Sequence, residues 1–461
     1  MNRYDLIVIG TGPAGLHAAI QAAKLGRRVA AIERQKVIGG VCVNTGTIPS
    51  KAVREAILYL SGIRQRDFYG SSYTVKPEIT MEDITQRVSH VIRAERDVIH
   101  GHFKRNHIDL HYGQARFLSP HRIAVDTLTG QTDEYEADFF MVCVGTRPAR
   151  SPQFPVDGKD IHDADTILNM ERLPRSLTII GAGVVGVEYA CMFAALGIPV
   201  TIIEARPRML DNIDEEIVEA LQFHMREMDV VFSLGEKCEK VYVNERGDVL
   251  IETESQKLVR AETVLYAVGR TGNTEELNLP AAGLRADHRD RIQVNEHYQT
   301  EAPHIYAAGD VIGFPALASV SMEQGRMAAC HAFGLDCQAD PRLFPYGIYT
   351  IPEISYVGRN ERELTEAKVP YATGVARYRE SARGMLIGDI KGMLKLLFHR
   401  EDHRLLGVQI LGEGASELVH IGQAVMSFDG PVDYFVNTVF NYPTLAECYK
   451  RAAFTGLNKL G

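Results

Sequence analysis

Two copies of one glycine pattern, GTGPAG (Gly10, Gly12, Gly15) and GAGVVG (Gly181, Gly183, Gly186), place the tightest limit on what this chain can fold into. Each follows a short apolar run, YDLIVI or LTII, and each is answered at the same offset by an acid, Glu33 or Glu204. In such a unit the first glycine permits a tight strand-to-helix turn, the second lets the backbone approach a pyrophosphate, and the third lets helix and strand pack closely. The N–H groups at the helix N-terminus then hold the phosphates, and the acid accepts a ribose hydroxyl. The pattern predicts two dinucleotide-binding βαβ units in one chain.

At 461 residues, 45% of them apolar, the chain can bury sizeable cores in roughly three domains of about 150 residues. Its net charge of −9 and the lack of a basic run interleaved with aromatics argue against a nucleic-acid partner. No segment approaches about 18 uninterrupted apolar residues, so no membrane span is expected. The first strand begins almost at once, without a charged leader, which suggests a cytoplasmic protein. Seven scattered cysteines without a CxxC pair read as reduced thiols. His100, His102, His107 and His111 cluster in HGHFKRNHIDLH, but their spacing matches no metal-binding pattern, and no metal is assigned. His420 reads as a satisfied structural histidine.

The chain is predicted to be α/β, with two Rossmann-like dinucleotide-binding domains and a C-terminal α+β domain. A helix through His17–Leu25 leads to the strand RRVAAIE and then to VIGGVCVNTGTIPSKAVREA. A long amphipathic helix is expected from Thr80, its N-cap, to Phe103, with Ile84, Val88, Val91, Ile92 and Ile99 on one face. The strands ending VCVGTRP and YAVGRTG close the two units in parallel fashion, and YAAGD delivers Gly309 and Asp310 to a loop before a further helix. The expected domains are 1–152 with 278–340, then 153–277, then 341–461.

GTGPAG, GGVC followed by GTIPSK, GAGVVGVE, YAAGD and FNYPTLAE together resemble the two-dinucleotide flavoprotein reductases related to glutathione reductase and lipoamide dehydrogenase. The resemblance spans essentially the whole chain. It implies FAD held by Gly10, Gly12, Pro13, Ala14, Gly15, Glu33 and Arg34, by Gly40, Val41, Cys42, Gly46, Thr47, Ser50 and Lys51, and by Ala115, Gly145, Thr146, Arg147, Gly309, Asp310 and Ala318. For NAD or NADP it implies Gly181, Gly183, Val184, Val185, Glu188, Glu204, Arg206, Gly269 and Arg270, and it makes the last domain a dimerisation domain. Lys51 and Glu188 match the family's catalytic positions, where a lysine beside flavin N5 pairs with a carboxylate that limits its desolvation cost. The helix after Ala318 is expected to aim its positive end at the flavin N1–O2 edge.

Departures from the family narrow the reading. Disulfide reductases carry two cysteines separated by four residues; here Cys42 stands in the first position and Thr47 in the second. Their C-terminal His-Pro-Thr is here Tyr442-Pro443-Thr444, although Glu447 is kept. A phenol with an ordinary pKa near 10 is a poor proton carrier at neutral pH. Cys42 reads either as a polar spacer under the flavin or as a thiol reacting reversibly with the ring or with oxidants. GGVCVNTGTIPSK together with FNYPT is similar to the soluble pyridine nucleotide transhydrogenases, a resemblance that implies ping-pong hydride transfer from NADPH to NAD through one FAD in a homodimer or larger homo-oligomer. Exchange between such similar coenzymes is driven by concentration ratios, about 1.4 kcal/mol per tenfold. An NAD(P)H oxidase or diaphorase, or lipoamide-dehydrogenase-like chemistry with another acceptor, is the alternative; a non-catalytic flavin-binding scaffold is the second. Glu204 suits the free ribose of NAD and opposes the 2′-phosphate of NADP by roughly 1 to 4 kcal/mol. Arg206 and Arg208 beyond it either form a solvated loop pair or swing onto that phosphate.

Overall fold

In the computed structural model, which describes residues 2–337, 340 and 343–460, the chain divides into two compact units. One comprises Met1–Val53, Thr85–Ala149 and Val268–Ala339, the other Arg54–Ile84, Arg150–Ala267 and Asp340–Gly461.

The first unit is built outward from β1 (Asn2–Ile9), whose Leu6, Ile7 and Val8 are wholly buried. Parallel neighbours β2 (Val29–Glu33) and β5 (Thr132–Val142) flank it. Beyond them lie β3 (Asp109–Ser119) and β16 (Ile305–Ala307), also parallel, while β4 (Arg122–Thr127) pairs antiparallel with β3 and β5. A strand buried on both faces needs apolar residues throughout rather than alternation, and β2 is of this kind. α1 (Pro13–Lys24) follows the first glycine turn and buries Ala14, Ala18, Ala19 and Ala22. It begins ahead of the expected His17 because Pro13, with φ already fixed near the helical value, sits in its first turn. α8 (Ala318–Ala332) lies so close to α1 that a Cβ on Gly325 would fall 2.0 Å from the Ala14 carbonyl oxygen. α2 (Gly40–Asn44) and a short ribbon of β6 (Thr146–Pro148) with β15 (Arg270–Gly272) complete the unit.

The second unit repeats the plan. Its parallel sheet has the order β10 (Val231–Leu234), β9 (Val200–Glu204), β8 (Leu177–Ile180), β14 (Thr263–Tyr266), β7 (Ile161–Asp163). α6 (Val184–Ala195) is buried almost all round, as its uniformly apolar sequence requires, and α7 (Glu215–Glu227) follows β9. An antiparallel meander joins β11 (Cys238–Val243), β12 (Val249–Thr253) and β13 (Leu258–Ala261). The C-terminal part is a five-stranded antiparallel sheet in the order β17 (Tyr346–Ile348), β18 (Ile354–Gly358), β21 (Leu405–Leu411), β20 (Met393–His399), β19 (Tyr371–Arg377). α11 (Ala415–Met426) and α13 (Glu447–Leu457) share its core through Val419, Tyr449 and Ala452. The short helices α4 (Arg66–Tyr69), α9 (Glu361–Glu366), α10 (Ala382–Ile387) and α12 (Asp433–Asn437) lie in the connections.

α3 (Thr47–Ser61) and α5 (Met81–Arg105) are continuous helices. Thr80 caps α5 as expected: its hydroxyl accepts from the Asp83 amide at 3.3 Å, and the Asp83 carboxylate accepts from the Thr80 amide at 2.8 Å. Ile84, Val88 and Ile99 are buried on the expected face, with Val91 and Ile92 half-buried. Among the described residues no three His, Cys, Asp or Glu side chains gather as a metal site. His111 instead lies 3.2 Å from each of the Tyr4 and Tyr135 hydroxyls, and His420 lies 2.7 Å from Gln423. No described helix is long and apolar enough to cross a membrane.

Lys395 on β20 is 1% exposed, and its ammonium donates to both oxygens of buried Asp214, at 2.9 and 3.1 Å, and pairs with Glu216 at 3.2 Å and with Glu361. Burial alone would depress its pKa, but Asp214 and Glu361 hold it above the ordinary value. Asp214 stands at the head of α7, so the lysine fastens this helix start to the C-terminal sheet. Removing one partner leaves a buried charge uncompensated: Lys395→Ala should cost about 3–5 kcal/mol in urea unfolding, and a loss below about 1 kcal/mol, the range of a surface pair, would refute this role.

Candidate active site

The two glycine turns are near copies. Gly10 and Gly181 have φ of 103° and 106°, the left-handed region that favours glycine. A Cβ on Gly15 would fall 1.9 Å from the Gly10 carbonyl oxygen, and one on Gly186 would fall 2.0 Å from that of Gly181. The middle glycines differ. A Cβ on Gly183 would meet nothing within 4 Å, and one on Gly12 would only reach the Gly40 Cα at 4.0 Å. Each turn is therefore closed toward its own strand and open at the helix N-terminus, the shape a pyrophosphate needs.

In the first unit, Glu33 is buried and accepts from the Thr11 amide at 3.2 Å, the Thr11 hydroxyl at 2.5 Å and the Gln35 amide at 2.9 Å. The Thr11 hydroxyl also accepts from the Gly39 amide at 3.1 Å, which draws the GGVC stretch against the fingerprint turn. Gly40 faces Gly12, and Val41 on α2 receives the Gly46 amide at 2.7 Å. Gly309 approaches Ala14, its amide donating to Gln324 at 2.9 Å, and Asp310 accepts from the Thr146 hydroxyl at 3.3 Å. The fold thus gathers Gly12, Ala14, Gly40, Thr146, Gly309 and Asp310 from four separate stretches. Ala318 begins α8, Ala115 is buried within β3, and Arg34 is exposed just past Glu33.

Thr47 opens α3 five positions after Cys42, where a second cysteine would stand in a disulfide reductase. Burial raises the Cys42 pKa, only partly opposed by the Thr47 hydroxyl. The Ser50 hydroxyl donates to the Thr47 carbonyl at 3.1 Å, and the Lys51 ammonium lies 3.4 Å from the Ser50 oxygen. Arg147 is committed to the Gly272 carbonyl at 2.6 Å and to Glu275 at 2.6 Å. Gly269 and Arg270 fall in this first unit, where Arg270 donates to the Thr146 hydroxyl at 2.8 Å and to its carbonyl at 2.9 Å.

In the second unit, Val184 and Val185 open α6 at the mouth of the turn, Val184 exposed. Glu204 accepts from the Ala182 amide at 2.7 Å and from the Arg206 amide at 3.0 Å, and the Arg206 guanidinium grips it through Nε at 3.0 Å and Nη2 at 2.9 Å. Burial pushes this carboxyl's pKa up, yet the Arg206 and Ala182 bonds more than offset it and leave it below the ordinary value. Arg208 pairs with Glu215 at 2.8 Å. Buried Glu188 accepts from the Tyr349 amide at 2.8 Å.

Sequence reasoning missed Thr11, Gln324 and Tyr349, which hold Glu33, Gly309 and Glu188. Thr11 stood in view inside GTGPAG, but Gln324 and Tyr349 carry no local signal because only the fold brings them to their partners.

The chain belongs to the pyridine nucleotide-disulphide oxidoreductase family: that family's model matches residues 4–325, and the model of its dimerisation domain matches residues 344–453. Within it, the chain is 52% identical over 461 residues to the soluble pyridine nucleotide transhydrogenase of Mycobacterium tuberculosis (strain ATCC 25177 / H37Ra), covering 100% of this chain and 98% of the relative. It is 42% identical over 463 residues to the protein of that name from Colwellia psychrerythraea, covering 99% and 98%. Among solved structures, LpdA from Mycobacterium tuberculosis matches with a TM-score of 0.91 at 26% identity, over 98% of this chain and 99% of that one. The HOCl-induced flavoprotein disulfide reductase RclA from Escherichia coli matches with a TM-score of 0.86 at 26% identity, with the same coverage.

The open middle of the first turn gives a direct test. Gly12→Leu puts a side chain where a pyrophosphate would lie without striking the β1 backbone, and should yield folded protein, by far-UV circular dichroism, that purifies without visible flavin absorbance. Full flavin content in that variant would refute the cradle.

Proposed function

We propose that this protein is an FAD-dependent pyridine nucleotide transhydrogenase that moves a hydride between NADPH and NAD. The observation that carries the reading is that Thr47, not a second cysteine, stands five positions after Cys42. A dithiol relay needs a second sulfur within reach of the first; a hydroxyl there cannot accept electrons, so the acceptor is not an enzyme dithiol. The names of relatives 42% and 52% identical over nearly the full chain support the same conclusion.

FAD, when bound, supplies a two-electron carrier between successive nicotinamide rings. The residues proposed to hold it are the Gly10–Gly15 turn with the head of α1, Glu33 and Arg34, Gly40–Cys42, Gly46–Lys51, Ala115, Gly145–Arg147, Gly309, Asp310 and Ala318. Lys51 supplies positive charge at this site, and the N-terminal end of α8 adds the partial charge of its free N–H groups. For the nicotinamide nucleotides we propose the Gly181–Gly186 turn with the head of α6, Glu188 held by the Tyr349 amide, Glu204 and Arg206, with Gly269 and Arg270 as further candidates. The division into 1–152 with 278–340, 153–277 and 341–461 is proposed as one of duties: flavin, nucleotide and association. The dimerisation-domain match indicates a homo-oligomer, and exposed Phe428, Val439 and Tyr442 supply apolar surface for it. We place the enzyme in the cytoplasm, where both coenzymes are substrates.

Arg206 suits a pocket that must accept both nucleotides. Seated on Glu204, it neutralises a carboxylate that would otherwise repel a 2′-phosphate by roughly 1 to 4 kcal/mol. Rotation of the guanidinium onto the phosphate serves NADP, and the carboxylate of Glu204 serves the free ribose of NAD.

The reading is tested by mixing the purified holoenzyme with NADPH and a thio-analogue of NAD. Equimolar appearance of the reduced analogue, with parallel double-reciprocal plots, is expected. Stoichiometric peroxide release with no exchange would select the oxidase reading instead. Arg206→Ala should raise KM for NADPH about tenfold or more, the equivalent of 1.4 kcal/mol, while changing that for NADH much less; equal changes would remove Arg206 from coenzyme choice.

A further inference from the structure

We infer that Cys330 and Cys337 form a reversible redox pair, a dithiol that a hydroperoxide closes to an intramolecular disulfide. All seven cysteines are free thiols, and these two lie at the end of α8. The helix ends in a tight reversal: Gly334 has φ 75°, its amide donates to the His331 carbonyl at 3.1 Å, and the Leu335 amide donates to the Cys330 carbonyl at 2.9 Å. This pair of bonds turns the chain back on the last helical turn, so that both sulfurs lie within 3.9 Å of one guanidinium nitrogen.

One guanidinium serves both. Arg326, a turn earlier on the same helix face, places Nη1 3.5 Å from the Cys337 sulfur and 3.9 Å from the Cys330 sulfur, and Glu323 holds it through Nε at 2.9 Å. The two sulfurs differ in access: Cys330 is 1% exposed, whereas Cys337 is half-buried. Burial raises the Cys330 pKa, and its contact with Cys337 raises it further. Cys337 is thus the sulfur an oxidant reaches, and Cys330 the protonated neighbour that resolves it.

The chemistry balances with hydrogen peroxide as oxidant. The Cys337 thiolate attacks one peroxide oxygen, the O–O bond breaks, and the departing hydroxide takes up the proton that Cys337 had released, giving water and a sulfenic acid. The Cys330 sulfur then attacks the Cys337 sulfur; the S–S bond forms, the S–O bond breaks, and the Cys330 proton leaves with the hydroxyl as a second water. Two thiols are oxidised by two electrons and one peroxide is reduced. The product staples the chain leaving α8 to the helix.

The test exposes native holoenzyme to hydrogen peroxide, quenches with an alkylating agent and maps thiols by non-reducing peptide mass spectrometry. One cross-linked peptide joining Cys330 to Cys337 is expected, reversed by dithiothreitol and absent from Cys330→Ser and Cys337→Ser. The second variant alters a half-exposed side chain and serves if the buried substitution does not fold. Arg326→Gln should close the bridge about fivefold or more slowly, because the guanidinium that gathers both sulfurs is gone. The proposal is overturned if both thiols stay alkylatable while other cysteines oxidise, if Cys337 passes to sulfinic acid without a cross-link, or if the bridge joins two chains.

Discussion

Contact between a helix and the turn that feeds it, at Gly15 against Gly10 and at Gly186 against Gly181, is the constraint on which the rest of this structure depends. Neither position has room for one further carbon. The closeness sets where α1 and α6 begin, and so where their free N–H groups point. It also brings β2 and β9 to end beside those helix starts, with Glu33 and Glu204 at the tips. The second glycine of each turn does the opposite and keeps its face open. A βαβ unit built this way is rigid where protein meets protein and vacant where a phosphate would enter.

Much of this could be read from the residues, because it rests on local chemistry. Glycine spacing, apolar runs and terminal acids are short-range signals, and the α/β class, the family and the Thr80 cap followed from them. What could not be read depends on how side chains are finally seated. The residues left Arg206 either in a solvated loop pair or free to swing onto a phosphate; the structure seats it on the acid two positions before it. Arg270 carries no local signal for its partner Thr146, 124 positions away, which the pairing of β6 with β15 brings to its guanidinium. Periodicity found the buried face of α5 but not its degree of burial at Val91 and Ile92, which depends on what packs over them.

The environment of Cys42 explains why a disulfide-reductase scaffold can survive the loss of its second sulfur. Thr47 is close to cysteine in size, so the turn into α3 needs no rebuilding. Tyr442, by contrast, is largely exposed in the single chain and makes no such repair. One substitution preserves packing while the other presents a bulky side chain to whatever covers that surface.

Lys395 adds a last point. Through Asp214 it anchors the short stretch that leaves β9 and carries Arg206 and Arg208, and neighbouring Asn360 and Arg362 reach the Asn212 and Asp211 carbonyls of the same stretch. The posture of this segment is thereby inherited from the C-terminal sheet and its connections as much as from the parallel sheet that β9 belongs to. A substitution at Lys395, Asn360 or Arg362 therefore reaches the Arg206–Arg208 stretch from a place where no comparison of fingerprint motifs would look.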